Sequence, residues 1–215
     1  MTQPESKYIP ALSFKVLTPF YDTLFKWTMR EELFKRRLIE EAQIRPNQRI
    51  LDLGCGTGTL TIMIKKAHPD SKVIGLDGDL QVLEIARRKA KETAASIEFD
   101  EGMAYQLPYP NAFFDRVLSS MVFHHLSTHD KEKTLAEIYR VLKPDGELHL
   151  VDFGEPNGFY AHSISLLMRR FERVDDNING RIPDMFAKAN FSVAKTWELQ
   201  TVFGTLALLR GRKSY

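Results

Sequence analysis

Arg49-Ile50-Leu51-Asp52-Leu53-Gly54-Cys55-Gly56-Thr57-Gly58-Thr59 is the stretch whose reading decides the fold. A short apolar run ends in glycines at alternate positions, and an amphipathic stretch with Leu60, Ile62, Met63, Ile64 and Ala67 follows at once. The pattern predicts a buried strand, a tight turn and the start of a helix. Glycine has no Cβ, so such a turn can take φ > 0 and let a ligand lie directly on the backbone. The first-turn N–H groups of a helix have no internal partner and point at whatever sits there. The stretch reads as a nucleotide-type cradle.

The glycine spacing narrows the ligand. A dinucleotide fingerprint needs G-x-G-x-x-G/A, and its third position here is Thr59. A P-loop is excluded, because no Gly-Lys-Ser/Thr follows the turn. Asp52 precedes Gly54 by two positions, where an ionised carboxylate repels a pyrophosphate and favours a ligand with a positive end. A second acid, Asp77, closes the strand Lys72-Val73-Ile74-Gly75-Leu76. A carboxylate at that end can accept hydrogen bonds from both ribose hydroxyls. Taken singly, a glycine-rich turn belongs to many βα loops and Asp77 reads as a solvated turn residue. In this order, Asp-x-Gly-x-Gly-x-Gly followed by an acid after the next strand resembles the signature of class I S-adenosylmethionine-dependent methyltransferases. The resemblance implies S-adenosylmethionine as cofactor, a ligand with a sulfonium, an amino-acid end, a ribose and an adenine but no phosphate.

Composition sets broad limits. The chain has 215 residues, net charge +2, 43% hydrophobic and 27% charged residues. That suits one soluble domain with a full-sized core and makes no case for nucleic acid as a partner. Cys55 is the only cysteine, so an intrachain disulfide is excluded and a cytoplasmic location is expected. Cys55 reads as a small residue filling the glycine loop. No apolar run approaches membrane-spanning length, and the opening Met-Thr-Gln-Pro-Glu-Ser-Lys is no signal peptide. The basic end from Arg210 reads as a solvated tail. The state expected is monomer or homodimer.

Strands are predicted near 49–53, 72–77, 96–100, 115–120 and 146–152, and helices near 58–68, 79–93 and 129–142. Lys143-Pro144-Asp145-Gly146 stops the last helix. This alternation argues an α/β fold: a mostly parallel sheet with helices on both faces and ligands at the carboxyl ends of the strands. Two β-rich runs, Phe191 to Trp197 and Thr201 to Leu209, lie close enough to pair antiparallel but not to hold a crossover helix. That resembles the Rossmann-like seven-stranded methyltransferase sheet with one reversed strand near the C-terminus. Residues 1–46 read as an N-terminal helical lid segment, with Thr18 and Pro19 starting a helix. Residues 47–215 form the methyltransferase domain, with an insertion at 154–190 as a second candidate lid.

The resemblance extends over residues 47 to 152. Leu107-Pro108-Tyr109-Pro110 with Phe114-Asp115-Arg116-Val117, and Glu137 to Gly146, are similar to stretches of the small-molecule branch that includes ubiquinone/menaquinone-biosynthesis methyltransferases. By resemblance, Gly54, Cys55, Gly56 and the turn hold the methionine end beside Asp52. Asp77 and Gly78 hold the ribose, and Ser120 offers its main-chain carbonyl to the amino group. Where relatives carry Gly-Asp-Ala, this chain has Gly102-Met103-Ala104. Met103 packs against the adenine without the relatives' hydrogen bond, and the Ala104 N–H serves an adenine nitrogen.

Methyl transfer from a sulfonium is a direct displacement, so the protein aligns the acceptor and excludes water. A base is needed only if the acceptor loses a proton. His125, in Phe123-His124-His125-Leu126, is the preferred base, with Tyr21 its partner; a Tyr–His pair at similar places occurs in phosphoethanolamine methyltransferases. The same residues also read as a packed loop histidine and a core tyrosine. Met121 stands where those enzymes place an Asp, which argues against a cationic substrate. The Asn/Asp-Pro-Pro-Tyr loop of nucleobase amino methyltransferases is absent. Asp175 to Gly180 opens like a calcium loop, but Phe186 stands at the twelfth position where Glu is required, so it reads as a polar turn. His124, His125 and His129 lack further ligands nearby, so no metal is expected. The single cysteine disfavours an arsenite methyltransferase.

The acceptor implied is a small, apolar or aromatic/isoprenoid molecule, and Arg169, Arg170 and Arg173 suit peripheral contact with an anionic membrane surface. Two other readings stand beside this one: a non-catalytic protein keeping S-adenosylmethionine as a structural or regulatory ligand, and a nicotinamide dehydrogenase, which Thr59 and Asp52 disfavour.

Overall fold

In the computed structural model, residues 31–93, 95–169 and 173–214 are described. The quoted stretch forms β1 (Arg49–Leu53), the glycine turn and α2 (Thr59–Ala67), after a helix α1 (Glu31–Glu41). Then come β2 (Lys72–Asp77), α3 (Leu80–Glu92), β3 (Glu98–Glu101) and β4 (Phe114–Ser120). A 3₁₀ turn (Phe123–His125), α4 (Thr128–Val141) and β5 (Leu142–Phe153) follow. Three helices, α5 (Phe159–Met168), α6 (Asp175–Ile178) and α7 (Ile182–Lys188), precede the hairpin of β6 (Phe191–Thr201) and β7 (Gly204–Lys213).

The seven strands form one sheet in the order β3-β2-β1-β4-β5-β7-β6. β1 to β5 run parallel, and β7 runs antiparallel to both of its neighbours. This is the expected Rossmann-like architecture with its reversed strand. From β1 the chain winds one way to β2 and β3, then returns to add β4 on the other side. A crevice therefore opens outside the carboxyl ends of β1 and β4, the place where open α/β sheets bind ligands.

Period-two alternation assigns the faces. Leu51 and Leu53 of β1 join Leu135 and Ile138 of α4 and Phe186 of α7 on one face. Ile50 joins Phe34 and Leu38 of α1 and Leu60 and Ile64 of α2 on the other. The described part of the N-terminal segment thus packs into the core from Phe34 to Ile44. The stretch that includes Thr18, Pro19 and Tyr21 lies outside the described residues.

Four expectations need correction. The basic end is not a solvated tail: Arg210 to Lys213 belong to β7, with Arg212 Nε on Glu147 and Lys213 Nζ donating to the Leu142 carbonyl. The hairpin turn lies at Val202-Phe203, not near 198–200, because Thr201 Oγ1 donates to the Gly204 carbonyl and closes a two-residue loop. Residues 175–180 are more than a polar turn. They hold α6, whose Asp176 and Asn177 are buried because Asp176 accepts from Thr128 Oγ1 (2.8 Å) and Lys131 Nζ (3.2 Å). Strand β5 also begins earlier than expected. Leu142 pairs with Phe114 before Lys143-Pro144-Asp145-Gly146 bulges out and pairing resumes at Glu147. Among the described residues, no helix is long and apolar enough to cross a membrane, and no group of three or more His, Cys, Asp or Glu could hold a metal ion.

Candidate active site

The glycine turn crosses the carboxyl end of the sheet between β1 and α2 with φ of +70° at Gly54, +52° at Gly56 and +74° at Gly58. Four of its backbone donors are already engaged. Gly54 and Cys55 N–H donate to the Leu76 carbonyl (2.8 and 3.0 Å), and Gly58 N–H donates to the Cys55 carbonyl (2.9 Å). Gly56 N–H donates to Asp77 Oδ2 at 2.8 Å. At the helix start, the hydroxyl of Thr61 donates to Asp52 Oδ2 (2.6 Å), and the Thr61 N–H also bonds to that carboxylate. Asp52 therefore serves as a cap for α2, from a position 1% exposed. Burial pushes its carboxyl up to about 6, against the lowering effect of Thr61 and Lys35.

With so many N–H groups turned inward, a pyrophosphate would find few donors on this turn. What the turn presents is shape and acceptors. A Cβ on Gly56 would meet nothing within 4 Å, which leaves open space above its backbone. Cys55, buried, packs with Ile62, Leu83, Ala86 and Phe99, and burial with the charges of Asp52 and Asp77 raises its thiol well above the ordinary range. It is a filler, not a nucleophile.

Asp77 ends β2 beside the turn. Oδ1 accepts from Asp79 N–H (3.0 Å) and Oδ2 from Gly56 N–H, and partial burial raises the carboxyl despite these bonds. A carboxylate offers about four acceptor positions. The N–H groups of Gly56, Asp79 and Gly78 engage it here, and the acceptor capacity left over suits a ribose hydroxyl. Met103 lies next to it: a Cβ on Gly78 would sit 2.9 Å from Met103 Sδ. Gly102 N–H donates to the Asp77 carbonyl at 3.0 Å, which ties the Met103-Ala104 loop to the end of β2. Ala104 packs against the cluster that holds Leu76 and Leu107.

Ser120 ends β4, and its hydroxyl is buried without a partner. An orphaned hydroxyl is costly, about 1–3 kcal/mol, and a ligand's polar group relieves it. Asp52, Gly54, Cys55, Gly56, Asp77, Gly78, Met103, Ala104 and Ser120 thus fall at the carboxyl ends of β1, β2, β3 and β4 or on the loops that follow them. Together they line the sheet's carboxyl edge. It suits S-adenosylmethionine: open backbone, spare ribose acceptors, an unpartnered serine and few phosphate donors.

Beyond Ser120 the chain turns sharply. Met121 takes φ +60° and donates to the Val151 carbonyl (2.9 Å), an uncommon conformation for a residue with a side chain. Val122 then folds over Gly54, where an added Cβ would lie 2.4 Å from Val122 Cγ2. The 3₁₀ turn places His125 at the surface, its ring centroid 4.0 Å from that of buried His124. Tyr21, its expected partner, lies outside the described residues.

Sequence reading missed the residue that organises this loop. Asp152, 3% exposed at the end of β5, accepts from the N–H groups of Val122 (3.0 Å), Phe123 (2.8 Å) and Phe153 (2.7 Å). Its Oδ1 also lies 2.9 Å from His124 Nδ1. Burial alone would raise this carboxyl, but the nearby imidazoles and hydrogen bonds outweigh it and hold it below the ordinary range. The signal was available: an acid closing a parallel strand, as with Asp77. His124 is thereby fixed with Nδ1 as the donor and Nε2 as the basic nitrogen.

Comparison with known proteins gives the family and the fold. A family profile described as "Methyltransferase domain" matches residues 50–146. The chain is 37% identical to a demethylmenaquinone methyltransferase of Thermus thermophilus, over 66% of this chain and 65% of that protein. It is 30% identical to the ubiquinone/menaquinone biosynthesis C-methyltransferase UbiE of Vibrio campbellii, over 84% of this chain and 78% of that one. The match spans a little under two thirds of the Thermus relative's length. Among solved structures, the YcgJ protein of Bacillus subtilis superposes with a TM-score of 0.71 at 21% identity, covering 86% of this chain and 99% of that one. The [4+2]-cyclase SpnF superposes with a TM-score of 0.72 at 18% identity, covering 87% and 83%. A cyclase on the same scaffold shows that the fold alone does not set the reaction.

Proposed function

Because the chain belongs to the class I S-adenosylmethionine-dependent methyltransferases, in the ubiquinone/menaquinone-biosynthesis branch, we propose that it methylates a small quinone-type acceptor: a hydroxylated aromatic ring with an isoprenoid-like chain. The cofactor half of the reading is supported by the hydrogen-bond state of the rim, with four donors of the turn engaged, acceptor capacity left on Asp77 and Ser120 unpartnered. The acceptor half is supported by the similarity to quinone-biosynthesis methyltransferases. When bound, S-adenosylmethionine supplies a methyl group activated by a positively charged sulfur.

The residues then have separable tasks. Asp77 holds the ribose hydroxyls, Met103 packs against the adenine, and Ser120 with the open backbone at Gly56 receives the amino-acid end. His125 takes the proton that a phenolic acceptor releases. His124, oriented by Asp152, keeps the histidine loop in register behind it. The enzyme works in the cytoplasm.

The test uses the full chain, methyl-labelled S-adenosylmethionine and the quinol form of a short-chain demethylmenaquinone. Label is expected on the quinol ring. His125→Ala is expected to lower turnover by about a hundredfold or more while cofactor affinity stays within about twofold. Cofactor binding without label on any quinol or phenol would overturn the acceptor assignment, and full activity in His125→Ala would remove the base.

A further inference from the structure

A cleft of about 200 Å³ opens between α6–α7 and one face of β5, β7 and β6. Leu150, Val193, Ala207 and Leu209 give it an apolar floor, and Ile182 and Pro183 close it from the helix side. Asn177 also lines it, 2% exposed. Its Nδ2 donates to Asp152 Oδ1 and to the Phe153 carbonyl, both at 3.2 Å, which fixes the orientation of the amide. The other end of that amide, Oδ1, is buried without a partner. A buried amide oxygen left without a donor is a costly state that a ligand can relieve.

The remaining polar groups point to the ligand's chemistry. Glu155 stands at the entrance, its carboxylate folded onto Gly180, where a Cβ would lie 1.8 Å from Glu155 Oε1. Glu198 accepts from Lys195 Nζ (2.8 Å) and Asn157 Nδ2 (3.2 Å). Among the described residues of the lining, Lys195 is the only cation, paired with Glu198 and also within the field of Glu155. Acceptors thus outnumber donors, and the charge at the entrance is negative.

We propose that this cleft binds a small organic cation, with an ammonium group donating to Asn177 Oδ1, Glu155 as counter-charge and an apolar body against Leu150, Ala207 and Leu209. At roughly 30 Å³ per water the space holds about seven waters. That suits a single ring or a short alkyl chain. Asn177 and His124 share Asp152 Oδ1, so a ligand seated here touches the carboxylate that holds the histidine loop.

The probe is benzylammonium, titrated into the ¹⁵N-labelled full chain beside benzyl alcohol and benzoate. Benzylammonium should shift the amide signals of Gly154, Gly180 and Ala207 saturably, and benzoate should not. Glu155→Gln, at an exposed position outside the methyl-transfer site, should weaken the binding about threefold to tenfold. Any of four results would overturn the proposal: no saturable shift, saturation only at Gly54 and Gly56, benzyl alcohol binding as tightly as benzylammonium, or an unchanged affinity in Glu155→Gln.

Discussion

At the scale of single residues, the glycines of the turn do different work. Gly54 lies beneath Val122, and a methyl group there would both clash and occupy a φ of +70°. Gly56 has a similar φ but open space above it. Gly54→Ala should therefore destabilise the fold. Gly56→Ala should cost only about 1–2 kcal/mol of backbone strain while sharply weakening S-adenosylmethionine binding. Thermal unfolding and calorimetry on both variants separate the two effects, and equal effects would count against the cradle. Asp52 gives a pH signature. Its carboxyl rises from 3.8 to about 6 on burial, so the folded chain holds that proton more tightly than the unfolded chain. The stability it contributes is complete below about pH 3.8 and is lost as pH rises through about 6, a change of about 3 kcal/mol. Asp52→Asn stays neutral throughout, so urea titrations should show the wild type losing about that much relative to the variant between about pH 4 and 7. A constant difference would contradict this account of Asp52. Asp77 was legible because an acid closing a strand beside a glycine turn has a known chemical use. Asp152 closes a strand in the same way, but its partners lie about 30 positions away in the β4 loop, and spacing alone does not bring them together.

At the scale of elements, boundaries followed local chemistry where local chemistry decides. Asp79 caps α3 and Ser127 caps α4, and both helices begin within a residue or two of expectation. Long-range pairing overrode the local pattern at β5, which gains Leu142 by bonding to β4, and at β7, which runs on because Arg212 meets Glu147. Helix α6 is set by a distant tie. Lys131 of α4, 0% exposed, reaches Asp176 and the Arg173 carbonyl (2.9 Å). Lys131→Met would leave the buried Asp176 carboxylate poorly compensated, at a cost of about 3–5 kcal/mol. Replacing both, Lys131→Met with Asp176→Leu, should recover most of that loss. Denaturant unfolding checks the pair, and a fully stable single variant would show that the tie contributes little.

At the scale of the whole molecule, strand–helix alternation fixed the sheet and the end at which a ligand binds, because parallel strands need crossovers and crossovers create the crevice at β1 and β4. The C-terminal hairpin was legible as a reversed pair for the complementary reason: too few residues for a crossover. The lid was harder to read. Residues 34–44 carry a helical apolar pattern that suits a lid and a core helix equally, and the sheet claims them for its core. The three helices between β5 and β6 had weak sequence signals, because buried Asp176 and Asn177 look like surface residues until their partners are known. The central claim is that the rim at the carboxyl ends of β1, β2, β3 and β4 is built for S-adenosylmethionine. Calorimetric titration of S-adenosylmethionine into the wild type and into Asp77→Ala tests it most directly. The account predicts saturable binding to the wild type, weakened by about 2–4 kcal/mol in the variant as two charge-assisted hydrogen bonds are lost. Absence of binding to the wild type, tight binding of NAD in its place, or undiminished affinity in Asp77→Ala would contradict it.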